Sequence, residues 1–184
     1  FSSFYMPGDF VSHVRMMKTD YEDTGLAQLF GMPFVVLRKP VPFDTTTLNF
    51  NWQVWDTKAF SLYSRSTEKI DKKGADMAIA AVCRFLSRMN VLNYNVYGGY
   101  ESTVLLEEEL VSLRSTASGL YIPHVKSFDS VERGQILADI IDPLTGVTVA
   151  QTEAPEDGIV FFAKDSPLVM ENETLFKIVN KLHK

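Results

Sequence analysis

Residues 134–162 read GQILADIIDPLTGVTVAQTEAPEDGIVFF, and their punctuation decides what the C-terminal half of the chain can be. Two runs rich in apolar residues flank Asp142-Pro143-Leu144-Thr145-Gly146, and a third run begins after Pro155 and Gly158. Pro143 suits position i+1 of a type I turn because its ring holds φ near about −65°, and Gly146 can take the positive φ that closes such a hairpin. The stretch is predicted to be a β-hairpin followed by a further strand.

The surroundings repeat this chemistry. SGLYIPHV, SFDSVERGQILADII, APEDGIVFF and SPLVMENETLFKIV are short strand-like runs divided by turn residues. Together they predict an all-β unit of roughly 90 residues, with the spacing of small sandwiches and barrels. NYNVYGGYES, at residues 93–102, is a Gly- and Asn-rich join, and a domain boundary is expected near residue 95, dividing the chain into 1–95 and 96–184.

Before that join the periodicity changes. Ala75, Ala78, Ile79, Val82, Phe85, Leu86 and Met89 recur at three- and four-residue steps, the stripe of an amphipathic helix over 70–90 with Asp71 as its N-cap. A shorter helix is expected from Thr24 through Leu26, Ala27, Leu29 and Phe30; Gly31 suits a left-handed terminus and Pro33 blocks continuation. The runs PFVVLR and AFSLYS are apolar without clean alternation, as in strands covered on both faces. Between them, FDTTTLNFNWQVWDTK fits both periods: Leu48, Phe50, Trp52 and Val54 alternate like a strand, while Leu48, Trp52 and Trp55 share a helix face. The order of elements predicts an α/β first half.

Composition narrows the function classes. Residues 1–95 carry 11 Lys and Arg against 9 Asp and Glu, and residues 96–184 carry 7 against 14, so the halves have net charges of +2 and −7. Neither balance suits nucleic acid. No run approaches the roughly 18 consecutive apolar residues of a membrane span, and the N-terminus lacks a basic stretch ahead of an apolar one. The single cysteine, Cys83, lies in an apolar stretch and reads as a buried thiol in a reducing, cytoplasmic setting. The aromatic-rich opening FSSFYMPGDF, without an initiator Met, reads as the start of a fragment.

The pattern Gly119, then Val131–Ala138, then Ala154–Val160 resembles the biotinyl and lipoyl carrier fold, in which a lysine at the hairpin tip bears the cofactor. Here the tip has no lysine, and Lys126 and Lys164 lie outside the hairpin, so cofactor attachment is rejected. A carrier-like β unit without its lysine, following an α/β segment that ends in an amphipathic helix, resembles the C-terminal half of the succinylglutamate desuccinylase/aspartoacylase family. The pieces that carry the resemblance are HVRM, LAQLFGMPFVV, AFSLYS with IDKKGADMAIAAVCRFL, GQILADIIDP and APEDGIVFF.

That resemblance implies part of a zinc-carboxypeptidase-like mixed sheet with helices over 1–95, then a barrel or sandwich of carrier type over 96–184. It implies a zinc-dependent hydrolase acting on the amide bond of an N-acylated amino acid or similar small substrate. The family's zinc ligands, an HxxE pair and a later His, would stand upstream of Phe1. Such a metal leaves one position open for water, whose pKa falls toward about 7 before it attacks the carbonyl. His13, His124 and His183 show neither HxxE nor HxxxH spacing and read as structural or exposed.

The family's general base aligns with Tyr63, a phenol that accepts a proton at neutral pH less readily than a carboxylate. Glu68, in the following SRSTEKID loop, is the alternative base, against the simpler reading of a glutamate at a helix N-terminus. Arg15 and Arg65 are candidates for bidentate pairing with a substrate carboxylate. Trp52 and Trp55 are read as core or interface residues, and Tyr97–Tyr100 as a linker or a fold-back over the catalytic face. The competing reading is a non-catalytic binding or oligomerisation module that has lost its base, with a homo-oligomer as one form.

Overall fold

The structure is a computed structural model that describes residues 7–66, 69–94 and 98–180. In chain order its strands and helices are β1 (Gly8–Phe10), β2 (His13–Met17), α1 (Thr24–Gln28), β3 (Phe34–Arg38), α2 (Leu48–Val54), β4 (Ser61–Tyr63), α3 (Lys72–Arg88), β5 (Thr103–Leu106), β6 (Val111–Arg114), β7 (Gly119–Pro123), β8 (Ser130–Val131), β9 (Ile136–Ile141), β10 (Thr148–Glu153), β11 (Gly158–Lys164), β12 (Leu168–Val169) and β13 (Thr174–Asn180). They form two compact units. Of the described residues, one comprises 12–65, 70–94 and 98–109, the other 7–11, 66, 69 and 110–180.

The first unit is a mixed sheet in the order β4-β2-β3-β5, with β2, β3 and β5 parallel and β4 antiparallel to β2. β5 lies past the join expected near residue 95. One face of this sheet carries Val14, Met16, Val35 and Leu37 into a core with Ala27, Phe30, Met32 and Ala81. Phe85 of α3 stacks on Phe30 at 4.3 Å between ring centroids.

Local chemistry explains the helix ends. Asp23 Oδ1 accepts from Leu26 N at 2.9 Å and caps α1, and Gly31 follows with φ +62°. The carbonyls at the end of α1 are met by arginines of α3: Arg84 donates to Phe30 O at 2.5 Å and Arg88 to Leu29 O at 2.9 Å. Burial, then the neighbouring Arg88 charge, lowers the Arg84 pKa. Gly99, at φ +107°, lies so close that a Cβ there would sit 2.8 Å from Arg84 Nε. This part of the glycine-rich join is therefore a close approach, whereas Tyr97 lies outside the described residues. Asp71 stands at the N-cap of α3, though its side chain makes no capping hydrogen bond.

The ambiguous segment 43–58 resolves into a 3₁₀ turn at Pro42–Thr46 followed by α2, with Thr47 capping α2 through Phe50 N. Helical spacing wins because buried Gln53 on α2 bonds both backbone groups of Met17, accepting from N at 2.9 Å and donating to O at 3.1 Å. Satisfying two buried main-chain groups outweighs the poor helix propensity of the Asn residues around it.

The second unit contains two antiparallel sheets among the described residues. The order β1-β11-β13-β6, with β8 also on β11, makes one; β10-β9-β7-β12 makes the other. Neither order closes on itself, so the barrel alternative is not what these strands form. Leu137 and Ile140 of β9, Tyr121 of β7 and Val160, Leu175, Phe176 and Ile178 of the other sheet share one core. Burial pushes the Tyr121 pKa up. The predicted hairpin is β9–β10: Gly146 N bonds Asp142 O at 2.8 Å, Gly146 has φ +73°, and Asp142 Oδ1 accepts from Leu144 N at 2.7 Å. β1 was not anticipated. It pairs with β11, opposing Phe10 to Phe162, with their rings 4.6 Å apart. Among the described residues no helix is long and apolar enough to cross a membrane.

Two consequences are measurable. A Cβ added at Gly158 would lie 2.4 Å from Ile178 Cγ2 and 2.6 Å from Val179 O. The backbone oxygen cannot swing aside, so Gly158→Ala is expected to cost about 1–3 kcal/mol in urea unfolding; an unchanged midpoint would contradict this packing. Glu173 is held below its ordinary pKa of 4.5, chiefly by the Lys164 hydrogen bond and then by Met170 N. Its folded pKa lies below its unfolded one, so its stabilisation is present above that range and is lost as pH falls through the folded value. Urea midpoints should therefore fall below about pH 4.5, and less steeply for Glu173→Gln.

Candidate active site on a polar sheet face

Strand alternation puts Val14 and Met16 on the core face, and so places His13, Arg15 and Met17 on the other. In register with them are Phe34, Val36 and Arg38 of β3 and Tyr63 and Ser61 of β4. His13 is fully buried, and Arg15 is 6% exposed. A guanidinium this deep needs partners.

Tyr63 is the first of them. Its hydroxyl accepts from Arg15 Nη1 at 3.1 Å, its ring lies 5.6 Å from the guanidinium carbon, and the same ring stacks on His13 at 5.0 Å with an interplanar angle of 3°. Glu107, just past β5, is the second, with Oε2 3.8 Å from Arg15 Nη2 and 3.7 Å from Arg38 Nε. Arg38 also meets buried Asp44 at 3.2 Å, and Asp44 Oδ2 accepts from Val41 N at 2.9 Å. Asn49 Nδ2 donates to Ser61 Oγ at 2.9 Å, tying α2 to β4. The result is an alternating chain of charges, Arg15–Glu107–Arg38–Asp44, beside a phenol.

Of the residues singled out by sequence, Arg15 and Tyr63 are thus brought into direct contact. Arg65 follows two residues after Tyr63 and is half-buried. Glu68 lies outside the described residues. Sequence reasoning missed Glu107, Arg38 and Asp44, although an arginine closing the apolar run PFVVLR was a usable signal. The glutamate run at 107–109 carried none that singled out its first member.

Among the described residues no group of three or more His, Cys, Asp or Glu could hold a metal ion. His13 is packed against Tyr63, and His124, in the second unit, bonds Asp139 at 2.8 Å. With Gln151, and then His124, as hydrogen-bond donors, Asp139 is held below the usual carboxylate pKa. These side chains do not fit a three-ligand zinc centre.

No family model and no curated protein sequence matches the chain. Solved structures do. The product-bound ectoine utilization protein EutE from Ruegeria pomeroyi matches with a TM-score of 0.75 at 13% identity, over 94% of this chain and 54% of that one. A succinylglutamate desuccinylase/aspartoacylase from Rhodobacter sphaeroides gives 0.75 at 14%, over 97% and 56%. An aspartoacylase family protein from Mesorhizobium loti gives 0.67 at 15%, over 98% and 61%. The chain thus spans little more than half the length of these structures, and over that length it has the fold of the succinylglutamate desuccinylase/aspartoacylase proteins.

Proposed function

We propose that these residues are the C-terminal portion of a zinc-dependent hydrolase that cleaves the amide bond of an N-acylated amino acid or a similar small substrate in the cytoplasm. In this reading 1–95, with β5 joined to its sheet across the expected boundary and β1 given up to the second unit, are the C-terminal part of a carboxypeptidase-like catalytic domain, and the rest of 96–184 is a β-rich domain of biotinyl/lipoyl carrier type. Zinc, where it acts, is held by polypeptide outside these residues. The observation that supports the reading is the Arg15–Tyr63 contact on the polar sheet face, within a fold shared with desuccinylase/aspartoacylase structures.

Each side chain then has a separate task. Arg15 and Arg65 pair with the substrate carboxylate, since a planar guanidinium offers two parallel donors to it. Tyr63 orients Arg15 and presents a hydroxyl beside the reacting amide. Glu68 takes the proton from the attacking water, because a carboxylate is ionised at neutral pH and a phenol with pKa of about 10 is not.

The engagement of the Tyr63 hydroxyl by Arg15 also supports a second reading, a binding or oligomerisation module of the same fold that has lost its base. One set of assays separates the two. The natural polypeptide containing these residues is expected to bind about one zinc per chain and to release carboxylate from N-acetyl or N-succinyl amino acids. Glu68→Gln should lower kcat by about 100-fold or more with KM little changed. Retained binding of N-acyl amino acids with no turnover, in a zinc-replete sample, would favour the module. Tyr63→Phe removes a hydrogen bond to a buried charge and is expected to lower stability by about 1–3 kcal/mol; an unchanged thermal midpoint would show that the contact carries no weight.

A further inference from the structure

The α3 helix carries more apolar surface than its sheet covers. Ala81 lies fully buried in the core of the first unit and Phe85 packs against that core. On the outward side Ala75, Ile79, Val82, Leu86 and Met89 recur at steps of four, three, four and three residues. Ile79 is 63%, Met89 42% and Val82 38% exposed; Ala75 is exposed as well, and Leu86 is half-buried. A surface helix is ordinarily polar on the side that meets water. Two successive heptads of this spacing make a narrow seam, the shape that a second helix crossing at about 20° fills with side chains along its length.

We propose that this seam joins two copies of the chain, with their α3 helices antiparallel about a two-fold axis at Val82. The seam is complementary to its own reverse, as an interface between identical surfaces requires. Ala75 and Met89 stand seven positions either side of Val82, so the smallest seam side chain of one copy meets the largest of the other, and Ile79 meets Leu86. No charged side chain lies in the seam, so no like charges meet near the axis.

Charge at the helix ends selects the antiparallel orientation. Lys72 and Lys73, both exposed, are the first residues of α3, and its first turn holds no acidic residue. Cations at that end oppose the helix's own dipole. Antiparallel pairing sets both lysines beside the C-terminal carbonyls of the second copy's helix, where cations are favourable; parallel pairing would set lysines against lysines. The α3 helix packs on the sheet face that carries Val14 and Val35, whereas Arg15 and Tyr63 lie on the other, so the pairing does not involve them and is independent of hydrolysis.

A 17-residue helix gives a seam of about 25 Å. That is smaller than a standard interface, and a Kd of about 1–10 μM is expected. Sedimentation of the 184-residue chain up to about 100 μM tests it, with Cys83, the only cysteine, as a reporter. Cys83 adjoins Val82 and is half-buried, and in the pair it stands about 10 Å from its counterpart, because packed helix axes lie roughly 8–10 Å apart. The expected results are a concentration-dependent species of twice the chain mass and its covalent capture through Cys83 by a short bismaleimide. Val82→Glu sets two carboxylates on the axis and should weaken association by about 100-fold or more, with the far-UV circular dichroism unchanged. Ile79→Lys, at a more exposed position, should do the same and decides the matter should Val82→Glu fail to fold. A chain that stays monomeric at the highest concentration overturns the pairing. So does a dimer that survives both substitutions, or one in which Cys83 is not captured. The same experiment on the natural polypeptide containing these residues separates the occupants: a monomer there, with Cys83 blocked from maleimide, would assign the seam to a helix of the same polypeptide and overturn the second copy.

Discussion

The first unit is organised around a buried cation. Arg15 sits mid-strand on β2 with 6% of its surface exposed, and a charge there is tolerable only if opposite charge and hydrogen-bond acceptors are brought to it. Strand alternation forces the same sheet to be oily on one face and ionic on the other. Tyr63, Glu107, Arg38 and Asp44 then follow as a chain of compensation, each partner partly neutralising the one before.

That chain also explains the segment between β3 and β4. Asp44 anchors the 3₁₀ turn to Arg38, Gln53 clamps the backbone of Met17, and Asn49 reaches Ser61. Three polar side chains at helical and turn spacing therefore hold the cover over the ionic face. Trp52 is 51% and Trp55 81% exposed, so of the two readings given to them, core or interface, the core reading does not hold within this chain. The second unit relies on different physics, a dry core shared by two sheets, in which Gly158 lets β11 approach β13 more closely than a Cβ would allow.

Much of this was legible in the residues. The hairpin over β9–β10, with Pro143 and Gly146 at its turn, and α1 ending at Gly31 follow from turn and cap chemistry, which acts over a few residues. The α3 helix was legible as well, but not which part of its stripe is covered. Ala81 and Phe85 pack toward the sheet, whereas Ile79 is 63% exposed and Val82 and Met89 also face outward. A period of 3.6 marks an apolar arc and is silent on how much of that arc meets a neighbour.

By itself the sequence determined the local geometry: where the hairpin turns, where α1 and α3 lie, and that an acidic all-β half follows a mixed α/β one. Only the tertiary structure decided the segment 43–58, the recruitment of β1 to β11, and the meeting of Arg15 with Tyr63 and of Glu107 with both arginines. The physical reason is one of range. Turns and caps are set by neighbours within a few positions, whereas Arg15 finds its counter-charge 92 positions away, at Glu107, by sharing a sheet face with it, and nothing in the intervening residues encodes that distance.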